Sequence, residues 1–472
     1  MRLSPQGDRL NVSKPLPARA IFGYGLAAAP VMYAYTLILI MYMKYAVDDL
    51  GASPAAVGTI FFMAKMWDAV SDPMVGNLSD RTMSKRGRRR PWILAGAPLL
   101  AIFGLMAWAP PATFEGGAMI AWITVAILGF YTSYTIFEVP HMSLGAELSL
   151  DGPERNRIFA VRQVMKTLGM LAAAILGSWV VGQGAGPAKT MAMVAGVATL
   201  LLVFAGASLL PPERDEFRGR GGQNPIKAIR DVVANPHARL FLFVIFIDAI
   251  GSGGIAVLIP FVMEYVVGDP ELTINGNALA SSDLVPMLLG IAFITALLSI
   301  PIWLRLARHF EKRRLVLVSM VMATGGYGSM IFVGPGDWEF IAIASMFSGA
   351  ANACANTLGY TLKSEIIDAD ELDTGERKEG AYFAGWSFMN KLGAAIMVGS
   401  VGIALETSGF VANEPDQTEL VKTTMIVLMG GVPLVCYGIG ALAFSRYSLN
   451  EEKHEGIRAA LDARAAERQT PA

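Results

Sequence analysis

Long apolar runs separated by short polar ones fill almost the whole chain. A helix needs about 20 apolar residues to cross the hydrocarbon core of a bilayer. Twelve runs reach that length, at 20–46, 54–79, 91–110, 117–147, 157–182, 189–210, 238–267, 283–308, 314–334, 338–366, 379–406 and 423–446. The longest polar connection, 211–237, contains "PPERDEFRGRGGQNP" and divides six runs from six. The pattern predicts an all-α membrane protein of twelve transmembrane helices in two six-helix bundles, 20–210 and 238–446, a plan that recurs among transporters. Residues 1–19 and 447–472 flank them, and the charge signs alternating from Tyr447 onward read as a solvated tail helix.

Composition agrees: 54% of the 472 residues are hydrophobic and 16% charged, the balance of a chain whose solvent is lipid. A net charge of −1 hides a sorting of the loops. Arg81 to Arg90, Arg155 with Arg157, Arg214 to Arg230, Arg308 to Arg314, and Arg377 with Lys378 alternate with acidic or neutral connections. The latter hold Asp48 and Asp49, Glu115, Asp269 and Glu271, Asp337, and Glu414 and Asp416. The positive-inside rule then places both termini in the cytoplasm. The polar start, with Arg2, Arg9, Lys14 and Arg19, is expected to remain uncleaved. This basic excess orients the chain in a bilayer and gives no reason to expect a nucleic-acid partner. Cys354 and Cys436 fall inside apolar runs without metal-site spacing, and neither HExxH nor GxSxG occurs. No catalytic constellation supports an enzyme.

The stretch "WDAVSDPMVGNLSDRTMSKRGRRRPW", 67–92, carries the most informative chemistry. Asp68 and Asp72 lie four apart, on one helical face, inside the second run. Lys65 joins that face. An unpaired charge at bilayer depth costs about 2.5–3.5 kcal/mol, so something charged must offset the two carboxylates. One answer is a Lys65–Asp68 ion pair, which leaves Asp72 unexplained. The favoured answer is a bound cation held by Asp68 and Asp72, with Ser71 beside them and a hydroxyl from another span completing an oxygen shell.

The same stretch resembles the second-span signature of the glycoside-pentoside-hexuronide:cation symporters, the melibiose-permease-like branch of the major facilitator superfamily. The resemblance continues through "TIFEVPHMSLGAELSLDGPERNRIFAVRQ", 135–163, and "SEIIDADELDTGERKEGAYFAGWSFMNKLG", 364–393. It implies a major facilitator fold and symport of a sugar or glycoside with sodium or protons. The coupling cation is then a substrate, with no resident cofactor. By this resemblance Asp68, Ser71, Asp72 and Thr135 are the cation ligands. Glu138, Met142, Arg162, Trp386, Ser387 and Asn390 face the substrate, with Asn356 and Tyr360 nearby. Lys391 couples the two sites, with Lys65 in support, and Asp80, Arg81 and Arg88 belong to an inner gate. Partners are a small solute, the cation and an inner-membrane bilayer, and a monomer is expected to suffice.

Thr135 and Glu138 are neighbours on one helix, and Pro140 frees a carbonyl there. Glu138 and Arg162 also have a plain reading as a structural pair. The family's second sugar-binding carboxylate, in the first span, is replaced by Ala27, and its stacking aromatic by Met142. Those losses keep an amphiphile such as a lysophospholipid as the alternative substrate. Asp248, ahead of Gly251, Gly253 and Gly254, either lines the cavity at a bend or marks close glycine packing, the simpler account.

Overall fold

The computed structural model describes residues 16–149, 152–180, 185–213, 232–268, 273–274, 277–278, 281–375 and 378–469. Twelve long helices follow in order. α1 runs Ala18–Leu26 and on through Ala28–Ile40, α2 is Pro54–Asp80, α3 Arg90–Trp108, α4 Gly116–Leu148, α5 Gly152–Val180 and α6 Ala185–Ser208. α7 is Pro236–Gly253 continued by Ile255–Val262, α8 Ser281–Leu306, α9 Lys312–Gly328, α10 Trp338–Thr374, α11 Glu379–Thr407 and α12 Glu419–Ile426 continued by Val432–Phe444. A tail helix, α13, spans Glu451–Gln469, and Thr273–Ile274 pairs with Asn277–Ala278 between α7 and α8. Most of the 211–237 connection lies outside the described residues.

Ten of the twelve are apolar enough to cross a bilayer by length and composition alone, and the two that are not are α2 and α10. Polar residues explain both: Lys65, Asp68 and Asp72 interrupt α2, and α10 carries Lys363, Glu365, Asp368 and Asp370. The tenth run was expected to stop at 366, but its helix continues to Thr374. The acidic extension is held by cations, with Glu365 on Lys312 at 2.8 Å and Asp370 on Lys378 at 3.6 Å. Gly375, at φ +72°, then ends it in the left-handed conformation that glycine adopts freely.

The packing repeats between the halves. α1 lies on α5, α2 on α4, α3 on α4 and α6; correspondingly α7 lies on α11, α8 on α10, and α9 on α10 and α12. The main contacts joining the halves are α2 along α11 and α5 along α8, which the repeat makes equivalent to each other, and Ile255–Val262 of α7 also touches α1. The α2–α11 seam is built on glycine. A Cβ at Gly58 would lie 2.9 Å from the Gly402 Cα, and one at Gly402 would lie 2.2 Å from the Pro54 carbonyl oxygen. Only hydrogen fits there, so the backbones touch.

This seam lies at the end of the molecule away from the basic loops, and polar contacts reinforce it. Lys44, just past α1, pairs with Asp48 and reaches Glu264 beyond α7 at 2.7 Å. Tyr265 donates to Asp48 at 3.1 Å, Asn413 donates to the Asp48 carbonyl at 2.8 Å, and Glu406 accepts from Ser53 and from the Ala55 N–H. At the basic end, no hydrogen bond or ion pair among the described residues joins the halves. Among the described residues, the polar contacts between the halves therefore lie away from the basic loops.

In α7 the glycines pack closely: Gly253 would place a Cβ 2.8 Å from the Ala394 Cα, and Gly251 one 3.1 Å from the Cys436 Cβ. The helix also breaks at Gly254. Asp248 faces Gly440 of α12 rather than α11, and its Oδ1 has no hydrogen-bond partner among the described residues.

Candidate functional site

Midway along α2, Asp68 and Asp72 face α4 and α11. Thr135, fully buried on α4, donates to Asp68 Oδ1 at 2.8 Å and lies 3.2 Å from Asp72 Oδ1. Ser71 Oγ is 3.3 Å from the Thr135 hydroxyl and 3.3 Å from the Asp68 carbonyl oxygen. The third side is closed from the other half. Lys391 of α11 places its ammonium 2.7 Å from Asp68 Oδ2 and against Asp72 Oδ2. Two carboxylates and two hydroxyls thus converge on one point, and a single tethered cation answers them.

Lys65 stands apart from this pairing. It makes no ion pair with Asp68, and its buried ammonium lies over the Tyr131 ring, 5.9 Å from the centroid. The Lys65–Asp68 pair weighed from the sequence is therefore absent here, and Asp68 takes its counter-charge from α11. The donor set is oxygen only, and no group of three His, Cys, Asp or Glu suited to a metal ion occurs among the described residues. Carboxylate and hydroxyl oxygens suit a hard cation, and a proton equally.

One turn along α4 the second constellation begins. Glu138 accepts from Arg162 of α5 at 2.5 Å and from Lys166 at 3.3 Å. His141 stacks on Tyr24 at 4.3 Å between ring centroids and brings Nδ1 within 3.4 Å of Arg162 Nε. The Tyr24 hydroxyl donates to the His141 carbonyl at 3.0 Å. These contacts fix the carboxylate and the guanidinium against each other. Since Thr135 and Glu138 are three apart, one helix turn carries contacts to both constellations.

The other expected substrate residues divide. Met142, one turn past Glu138, is exposed, as are Ser387, Asn390, Asn356 and Tyr360. Trp386 is 2% exposed and packs among Phe241, Tyr382 and Phe383 instead of lining the gap. Ala27 is buried beside Gly206, and no polar group replaces it. At the basic end, Arg88 binds Glu147 at 2.6 Å and Asp80 at 3.5 Å, and Arg89 also pairs with Asp80. Glu213 accepts the backbone N–H groups of Arg88, Arg89 and Arg90. Gly87 permits this, because its φ is +101° and a Cβ would meet the Glu213 carboxylate at 2.4 Å. Asp80 and Glu147 belong to the first half, and Glu213 to the start of the connection that follows it. Arg81 is exposed and forms no ion pair among the described residues.

Two site cations were missed in the sequence. Lys166 follows Arg162 by four residues, a spacing that puts both on one face and was the available signal. Lys363 lies on α10 within its run, two positions before Glu365, which lies on another face and pairs with Lys312 instead, and intramembrane charge alone could have flagged it.

The sequence profile of a family described as MFS/sugar transport protein matches residues 23–451. The Escherichia coli inner membrane symporter YicJ is 28% identical over 450 residues, covering 92% of each chain. The Danio rerio sodium-dependent lysophosphatidylcholine symporter 1-B is 24% identical, over 93% of this chain and 88% of that one. The crystal structure of a D-xylose-proton symporter superposes with a TM-score of 0.67 at 13% identity, over 92% of this chain and 98% of that one.

Proposed function

The chain belongs to the MFS/sugar transport family, and from that membership we propose that it couples a sodium or proton gradient to uptake of a sugar or glycoside across an inner membrane. It is a multi-pass membrane transporter, and its family is one of carriers rather than enzymes. The observation that carries the coupling is the Lys391 ammonium bound by both Asp68 and Asp72 from the opposite half. A cation that enters between those carboxylates, with Ser71 and Thr135 as further ligands, competes with Lys391 and releases it. Release changes the α2–α11 seam, a main surface across which the halves must move. The cation's binding energy thereby biases which end is open.

The substrate position is the gap beside Glu138, Arg162, Met142, Ser387 and Asn390, adjoining the cation site through α4. The basic end is cytoplasmic by the positive-inside rule, and on this reading the Gly58–Gly402 contact and the Lys44–Glu264 pair close the outer end while the path is reached from inside. Both termini are then cytoplasmic, and one chain holds the whole path, so a monomer suffices. Asp80 and Arg88 anchor the inner end of the first half, while Arg81 has no ion-pair partner there among the described residues.

A carrier of an amphiphile is the second reading. It is favoured by the exposed Met142 one turn from Glu138, by the loss of a carboxylate at Ala27, and by the likeness to a lysophosphatidylcholine symporter. Competition in proteoliposomes between free sugars, matched aryl glycosides and matched lyso-lipids tests both. The glycoside reading expects the aryl glycosides to compete best, and inhibition by lyso-lipids alone would replace it with the amphiphile reading.

A further inference from the structure

In the first half, the gap between α4 and α5 carries Glu138 with two cations, a satisfied set. The repeat makes α10 and α11 the equivalents of α4 and α5, so their gap faces the same cavity from the other side. Its charges are not satisfied. Lys363 of α10 has no carboxylate within ion-pairing distance among the described residues. Its ammonium lies 4.4 Å from the Tyr360 ring centroid and 5.5 Å from that of Trp386. Trp386 is 2% exposed, and its indole N–H has no acceptor among the described residues. Lys363 thus lies against a wall in which no described residue supplies an anion.

Snorkelling to the cytoplasmic interface does not account for this lysine. Snorkelling turns a lysine toward the polar end of its helix, here the end that begins at Glu365, whereas the Lys363 ammonium lies back over Tyr360, toward the helix start. The flanking surface is flat and apolar. Tyr360 and Phe383 are 49% and 40% exposed and stack at 6.3 Å with a 23° interplanar angle. Ser387 and Asn390 continue that exposed face along α11.

We propose that the α10–α11 wall is an anion subsite for the transported solute. In it Lys363 receives a carboxylate or phosphate oxygen, while the ring or chain next to that group rests on Tyr360 and Phe383. The proposal rests on reading the gap between the halves as the transport path, and it adds a charge requirement to the substrate. A carboxylated sugar and a lysophospholipid both present such oxygens on an apolar or ring-shaped body.

The test uses purified full-length protein and matched probes. p-Nitrophenyl β-D-glucuronide is paired with p-nitrophenyl β-D-glucoside, and a lysophosphatidic acid with the monoacylglycerol of the same chain. Affinities are read by ligand-induced thermal shift for the parent, Lys363→Gln and Lys363→Arg, each with its own melting curve as a check on folding. In the parent, one anionic probe should bind about tenfold more tightly than its neutral partner, as a charge-assisted contact implies. Lys363→Gln should bring that ratio to about one, and Lys363→Arg should restore it. Preference for the glucuronide identifies the carboxylate source, and preference for the lysophosphatidic acid the phosphate source. No preference in the parent, or a preference that survives in Lys363→Gln, overturns the proposal. The symport reading is judged separately, by whether binding of the neutral probes responds to sodium or pH.

Discussion

Replacing Lys391 with alanine removes the one ammonium shared by Asp68 and Asp72 and leaves two carboxylates a helical turn apart. Deleting one partner of a buried ion pair costs about 3–5 kcal/mol. The Lys391 and Asp72 side chains are 22% and 29% exposed, and solvent screening lowers that to about 2 kcal/mol. The same vacancy favours an incoming cation, which no longer has to displace the ammonium. If about 1.4 kcal/mol of the lost attraction is returned to sodium, its affinity rises about tenfold. Thermal unfolding of the purified protein across a sodium series reads this directly, because a ligand that binds only the folded state stabilises it in proportion to the logarithm of its saturation. The variant should be less stable than the parent without sodium and gain more from it. A variant whose response to sodium matches the parent's would refute the competition between Lys391 and the cation.

Asp72→Asn keeps the side-chain shape and removes a charge, so cation stimulation of uptake should disappear while the melting curve stays cooperative; unchanged cation dependence would place the site elsewhere. Gly402→Val drives a side chain into the Pro54 carbonyl, which cannot yield, and should part the halves at their outer end. A cysteine at Ser53 should then react severalfold faster with a membrane-impermeant maleimide than it does in the parent background, and equal rates would contradict an outer seam. Glu138→Gln leaves Arg162 and Lys166 without their anion and should cost about 3 kcal/mol in stability, measured by denaturant unfolding in detergent, together with loss of substrate protection.

The fold was legible because the bilayer imposes a simple code: twelve apolar runs, a long polar break after the sixth, and basic loops on one side. Helix ends were less so. α10 runs on to Thr374 because acidic residues beyond the membrane find Lys312 and Lys378, partners that no local pattern reveals. The paired carboxylates were legible from their spacing and their cost. Which cation answers them was not, since Lys65, the nearest in sequence, turns to Tyr131, and Lys391, 319 positions beyond Asp72, takes the place. Trp386 illustrates the opposite limit: α11 has several outward faces, and only the packing of α7 against it decides that this ring is buried while Ser387 and Asn390 are exposed.

The most direct test of the account is gradient-driven accumulation in proteoliposomes, using as probe whichever aryl glycoside or lyso-lipid competes best. Imposed sodium and pH gradients are applied separately, with Asp72→Asn alongside the parent. The account predicts that one inward cation gradient drives the probe above its equilibrium level in the parent and that Asp72→Asn only equilibrates it. Accumulation by Asp72→Asn equal to the parent's, or mere equilibration by the parent under both gradients, would contradict it.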